Sequence, residues 1–115
     1  MALNYNLAKV YDISSNDTEF VQQILTLFLE EVPPEIHNIK EGINEKNYQK
    51  TYSAAHKIKP TLDLLGMDLP FNEINQIMLW TRNEGKKKDI KEVYKLLKEQ
   101  IDLASKEIRK NHNIK

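Results

Sequence analysis

Apolar residues recur every three or four positions along most of this chain, and polar residues fill the intervals. That spacing is one face of an α-helix, and no segment shows the period-two alternation of a half-buried strand. Residues 7–15 read as a short helical lead-in or turn. Asn16 with Glu19 three positions later forms a capping box for a helix carrying Phe20, Ile24, Leu27 and Phe28. Pro33 and Pro34 should interrupt it, and a second helix with Ile36, Ile39 and Ile43 restarts there, with Gly42 near its end. Asn47 is an N-cap for a helix with Tyr48, Thr51, Ala55, Ile58, Leu62 and Leu65 on its apolar face, ending near Gly66. Pro70 opens the next helix, with Phe71, Ile74, Ile77 or Met78, and Thr81 along one side, and Asn83-Glu84-Gly85 closes it. Asp89 and Glu92 form a second capping box for a last helix bearing Ile90, Val93, Tyr94, Leu97, Ile101, Ala104 and Ile108. The polar tail 111–115 should be frayed.

Four longer helices with short connections make an all-α fold, an antiparallel four-helix bundle with a short N-terminal lead-in. At 115 residues the expectation is a single domain, 1–115, with its core at about 11–110. Lysine plus arginine and aspartate plus glutamate each number 17, so no net field draws the chain to nucleic acid or to an anionic membrane. Cysteine is absent, which removes disulfides and thiolate chemistry. No apolar run approaches the roughly 20 residues of a membrane span, and the N-terminus has no signal-peptide pattern, so a soluble cytoplasmic protein is expected. A monomer is expected, because one four-helix core buries the apolar faces.

Against this background one segment carries candidate chemistry: Ala54-Ala55-His56-Lys57-Ile58-Lys59-Pro60. At about 100° per residue, His56 falls roughly 130° from the centre of its helix's apolar face. Its ring should face solvent while the helix beneath is anchored. Ala54 and Ala55 do not shade it, Lys59 lies almost one turn further on, and Gln49, Tyr52, Ser53, Lys57, Pro60 and Asp63 complete a mixed patch that another protein can cover. By itself, a lone helix histidine is most often an ordinary surface residue. His37 and His112 have no partners at a metal spacing, so no metal site is expected. Lys86-Lys87-Lys88 reads as a solvated loop, and Trp80 and the tyrosines as core or bundle-edge residues.

Ala55-His56-Lys57-Ile58-Lys59, followed by Leu65-Gly66, resembles the histidine-containing phosphotransfer (HPt) domain of multistep phosphorelays, whose motif is roughly A-H-x-L-K-G with a later glycine. The run from Asp17 to Glu31, with Pro33-Pro34 after it, is similar to the first long helix and turn of such domains, and the likeness extends from about Tyr11 to about Ile108. The resemblance implies that His56 accepts a phosphoryl group from a receiver-domain aspartate and that Lys59 steadies the phosphate oxygens. It also implies that Gly66 caps the helix. The partner would be the receiver domain of a response regulator or hybrid kinase, which brings its own Mg²⁺, so this chain needs no cofactor. Lys57 stands at the variable position and is better read as a solvated charge.

Pro60 departs from the family, which usually has glycine there. It partly fills a flat spot beside the histidine and removes the donor to the His56 carbonyl. At a cost of about 3 kcal/mol in a helix interior, this predicts a kink or widened turn just past Lys59. Pro60 also supports the alternative of a degenerate bundle that binds a receiver without carrying phosphate. A third reading, the histidine hairpin of a sensor kinase, fits less well. That pattern has an acidic residue after the histidine and proline five positions on, whereas Lys57 and Pro60 stand here.

Overall fold

The computed structural model describes residues 4–114 and contains five α-helices: α1 (Ala8–Ser14), α2 (Thr18–Asn44), α3 (Tyr48–Leu64), α4 (Asp68–Arg82) and α5 (Lys87–His112). Among the described residues there is no strand. α2 to α5 form the antiparallel bundle, each packed on the next and α5 returning to α2, with α1 against α2. The core is one cluster, in which Leu25, Phe28, Ile39, Ile58, Leu62, Ile74, Ile77, Leu97, Ile101 and Ile108 are almost fully buried. Among the described residues no helix is long and apolar enough to cross a membrane.

The helices are unequal. At about 1.5 Å per residue, α2 (27 residues) and α5 (26) are about 40 Å long and account for the 43 Å long axis of the molecule. α3 (17 residues) and α4 (15) are only about 25 Å long. The short pair ends part-way along the long pair, at the α3–α4 turn. The N-terminal segment fills that step. Tyr5 and Val10 are buried in it, the Asn6 amide donates to the Leu65 carbonyl at 2.7 Å, and Asn4 binds the Glu107 carboxylate.

Several local expectations are corrected. α2 is continuous through Pro33 and Pro34. The two prolines are exposed, and they leave the carbonyls of Leu29 and Glu30 without their helical amide donors. Val32, Ile36 and Ile39 are buried around them, and at about 1.5–3 kcal/mol per buried side chain this outweighs the proline penalty. The N-cap of α2 is Asp17, which accepts from the Glu19 and Phe20 amides, whereas Asn16 takes a left-handed conformation before it. α5 begins at Lys87 with Lys86 as N-cap, so Asp89 lies inside the first turn and caps nothing. The tail is not frayed through His112. The Tyr5 hydroxyl lies 3.2 Å from His112 Nε2 and accepts from Asn111 Nδ2 at 3.1 Å, while Gln22 Nε2 donates to the His112 carbonyl.

Gly42 and Gly66 each meet a requirement of the backbone. A Cβ on Gly42 would strike Thr51 Oγ1 and come within 2.9 Å of the Thr51 amide, so glycine lets α3 start close against α2. Gly66 sits at φ 62°. Its amide bonds the Asp63 carbonyl and the Met67 amide bonds the Leu62 carbonyl, a Schellman closure with Met67 and Leu62 both buried.

Candidate functional site

α3 is held from below and open from above. Asn47 Oδ1 accepts the Lys50 amide at its start, and Thr51, Ala54, Ala55, Ile58 and Leu62 are buried along its length. The helix runs unbroken through Pro60, without the widened turn the proline predicts. Ile58 and Leu62 lie on either side of the proline in sequence. Burying both, at about 1.5–3 kcal/mol each, offsets the roughly 3 kcal/mol the ring costs.

On the open side, Gln49, Ser53, His56, Pro60 and Asp63 are all exposed and step four, three, four and three residues apart, so they form one stripe. Half-buried Tyr52 adjoins it. The rings of Tyr52 and His56 stack with centroids 5.8 Å apart and planes inclined by 18°. The phenol ring therefore lies nearly parallel to the imidazole and offset from it, while the two imidazole nitrogens have no hydrogen-bond partner among the described residues. Pro60 stands one turn beyond, its ring in solvent and the His56 carbonyl behind it without an amide donor.

The two lysines flanking the stripe turn to opposite sides. Lys57 leans towards α2, where its ammonium lies 2.9 Å from Glu35 Oε2. Glu35 is buried and also accepts from Asn38 Nδ2 at 2.8 Å. Burial pushes its carboxyl up, but the hydrogen bonds from Asn38 and Lys57 and the lysine charge more than offset this and hold it below the usual carboxylate range. The same hydrogen bond, with the Glu35 charge, raises Lys57. Lys59 leans towards α4 and places its ammonium 5.4 Å from the centre of the Phe71 ring. At the end of the stripe Asp63 pairs with Lys9 of α1 at 2.8 Å, both well exposed.

The residues expected to form the site therefore share one surface, with a difference at each charged position. Lys57 and Asp63 are engaged by Glu35 and Lys9, and Lys59 rests on an aromatic ring rather than beside the imidazole. Glu35, Lys9 and Phe71 were not legible as neighbours of this site, because each comes from another helix and only tertiary packing delivers it. A further unanticipated group is Glu73 on α4. It is buried, its Oε1 has no hydrogen-bond partner among the described residues, and burial pushes its carboxyl up to about 7. The signal for it was its spacing: Pro70, Glu73 and Ile77 step three and four residues along a buried face.

Among the described residues no group of three His, Asp or Glu side chains could hold a metal ion. No family model, curated protein or solved structure matches the chain. What the surface can do chemically follows from its parts: an exposed imidazole beside Tyr52 on a braced helix, a lysine three residues on whose ammonium rests on Phe71, and two ion pairs at the flanks.

Proposed function

We propose that this chain is a histidine phosphotransfer module that relays a phosphoryl group between receiver-domain aspartates through His56. The observation that carries the reading is the His56 ring itself, exposed in mid-helix with neither nitrogen hydrogen-bonded among the described residues, above a buried row of Ala55, Ile58 and Leu62. In the forward step the neutral ring's Nε2 attacks phosphorus. The N–P bond forms as the acyl phosphate P–O bond breaks, and the aspartate leaves as a carboxylate. In the return step a second aspartate carboxylate attacks phosphorus and the ring leaves. The receiver brings Mg²⁺ and its acidic pocket.

In this reading Lys59 leaves the Phe71 ring to meet the phosphate. Its contact with Phe71 is worth about 0.5–1 kcal/mol, and a charge-assisted hydrogen bond to a phosphate oxygen about 1.5–3 kcal/mol, so the swing from ring to phosphate is downhill. Gln49, Tyr52, Ser53, Lys57, Pro60 and Asp63 form the receiver contact in this reading, and a monomer in the cytoplasm is its natural setting. Incubation with a phosphorylated receiver should transfer label to the wild type, and His56→Gln should remain unlabelled. Label retained by that variant would remove the assignment.

One observation favours a second reading, a bundle that binds a receiver and carries no phosphate. The Pro60 ring stands exposed one turn from His56 on the same stripe, at the position where the resembled family usually has glycine. Stable receiver binding with no labelling of the wild type would select this alternative.

A further inference from the structure

A second surface lies on the flank of α2 away from α3, where the two long helices run side by side. Between them is a groove of about 700 Å³. Its floor is apolar, with buried Ile43 from α2 and half-buried Tyr94 from α5. A smaller recess of about 170 Å³ shares Lys40, Tyr94, Lys98 and Asp102 with it and continues it past Ile36 towards Pro33.

The rim is cationic. Lys40 stands on the α2 side, and Lys87, Lys88, Lys91 and Lys95 follow one another along α5. None of these five pairs with a carboxylate among the described residues. Two acidic groups, Glu99 and Asp102, mark the far end, and there Lys98 is paired with Asp102 at 2.8 Å. In a chain of zero net charge this is a strong local asymmetry.

The start of α5 breaks a local rule in the same direction. Lys86, Lys87 and Lys88 crowd a helix N-terminus, the positive end of its dipole, with no side-chain cap and only Asp89 to offset them. That arrangement is unfavourable for the helix dipole, while the Lys86 carbonyl is held by a hydrogen bond from Trp80 Nε1 at 2.8 Å.

The geometry selects the kind of partner. Lys88, Lys91 and Lys95 step three and four residues, so their stems are spaced about 5–6 Å along α5. One carboxylate or one lipid headgroup would engage a single step of this ladder. A helix with carboxylates every three or four residues matches the whole ladder, and its apolar stripe fits the Ile43–Tyr94 floor between the cationic edges. A nucleic-acid strand would want successive aromatic platforms, and the floor offers only Tyr94. A bilayer surface does not enter a concave groove.

We propose that the α2–α5 groove docks an acidic amphipathic helix of a partner protein. This surface is separate from the His56 stripe and does not depend on what His56 does.

The test uses the full chain and a fluorescein-labelled helical peptide of roughly 16 residues, with a leucine stripe flanked by glutamates. Controls are a scrambled peptide of the same composition, an oligothymidylate and phosphatidylserine vesicles. Saturable binding of the amphipathic peptide is expected, with amide shifts concentrated at Ile43, Tyr94 and Lys91. Lys91→Glu/Lys95→Glu should weaken it at least about tenfold, and Tyr94→Ala several-fold, while His56→Gln leaves it unchanged. The charge reversals are on exposed positions, and an unaltered circular dichroism melt verifies that they fold. Equal binding of the scrambled peptide, tighter binding of the oligonucleotide or vesicles, or indifference to the double reversal would overturn the proposal.

Discussion

The Lys59 ammonium rests 5.4 Å from the centre of the Phe71 ring, which ties α3 to α4 through a contact that is easily exchanged. If His56 carries phosphate as proposed, replacing Lys59 by alanine should slow phosphoryl transfer from a receiver by about 10- to 100-fold, the equivalent of one charge-assisted hydrogen bond. Phe71→Leu removes the competing ring and should speed transfer by up to about fivefold. Rapid-quench time courses with a phosphorylated receiver measure both. An unchanged rate in Lys59→Ala would mean that the ammonium never reaches the phosphate.

Glu35 ties Lys57 to α2, and its carboxyl is held below the usual range, so the pair contributes stability above the ordinary carboxylate pKa. That contribution is lost as pH falls through the depressed value. Glu35→Gln should therefore lower the urea midpoint at about pH 7, and its deficit against wild type should shrink towards about pH 3. A deficit that does not vary with pH would point to packing instead of charge.

Glu73 has the opposite sign. Its folded carboxyl titrates at about 7 against 4.5 for an ordinary glutamate, so the folded state holds the proton more tightly than the unfolded chain. Stability should fall as pH rises from about 4.5 to about 7, by a total on the order of 3 kcal/mol, and level off above. Glu73→Gln removes this slope. Urea denaturation at several pH values should find the variant more stable than wild type at about pH 8, and the difference should shrink towards about pH 4.

At Gly66 a Cβ would sit 2.7 Å from the Asn6 Cβ and 3.1 Å from the Asn6 carbonyl oxygen, and φ is +62°. Gly66→Ala should cost at least about 1 kcal/mol and lower Tm by about 4 °C or more. A differential scanning melt decides it.

Much of the bundle was legible because burial repeats with the helical period: Ile58 and Leu62, or Leu97, Ile101 and Ile108, could lie on no other kind of element. Asn47 and Gly66 announced both ends of α3 because capping is a local interaction. Where neighbouring residues compete for one local role, the sequence was ambiguous, as with Asn16 and Asp17. Pro33-Pro34 misled because proline's penalty is local while the burial of Val32, Ile36 and Ile39 that overrides it comes from other helices. At the candidate site, the exposure of His56 followed from its angular position. The engagements of Lys57, Lys59 and Asp63 did not, since Glu35, Phe71 and Lys9 lie far from them in the chain.

The contacts of Asn4 with Glu107, and of Tyr5 with Asn111 and His112, bring the beginning and the end of the described chain together. A short peptide bridge could therefore close the molecule into a ring. New ends opened in the α4–α5 turn at the opposite pole would cut neither helix, provided that the Gly85 and Lys86 carbonyls keep the hydrogen bonds they accept from Tyr48 and Trp80. Such a rewired chain would offer a reporter fused at that pole, well away from the N-terminal brace.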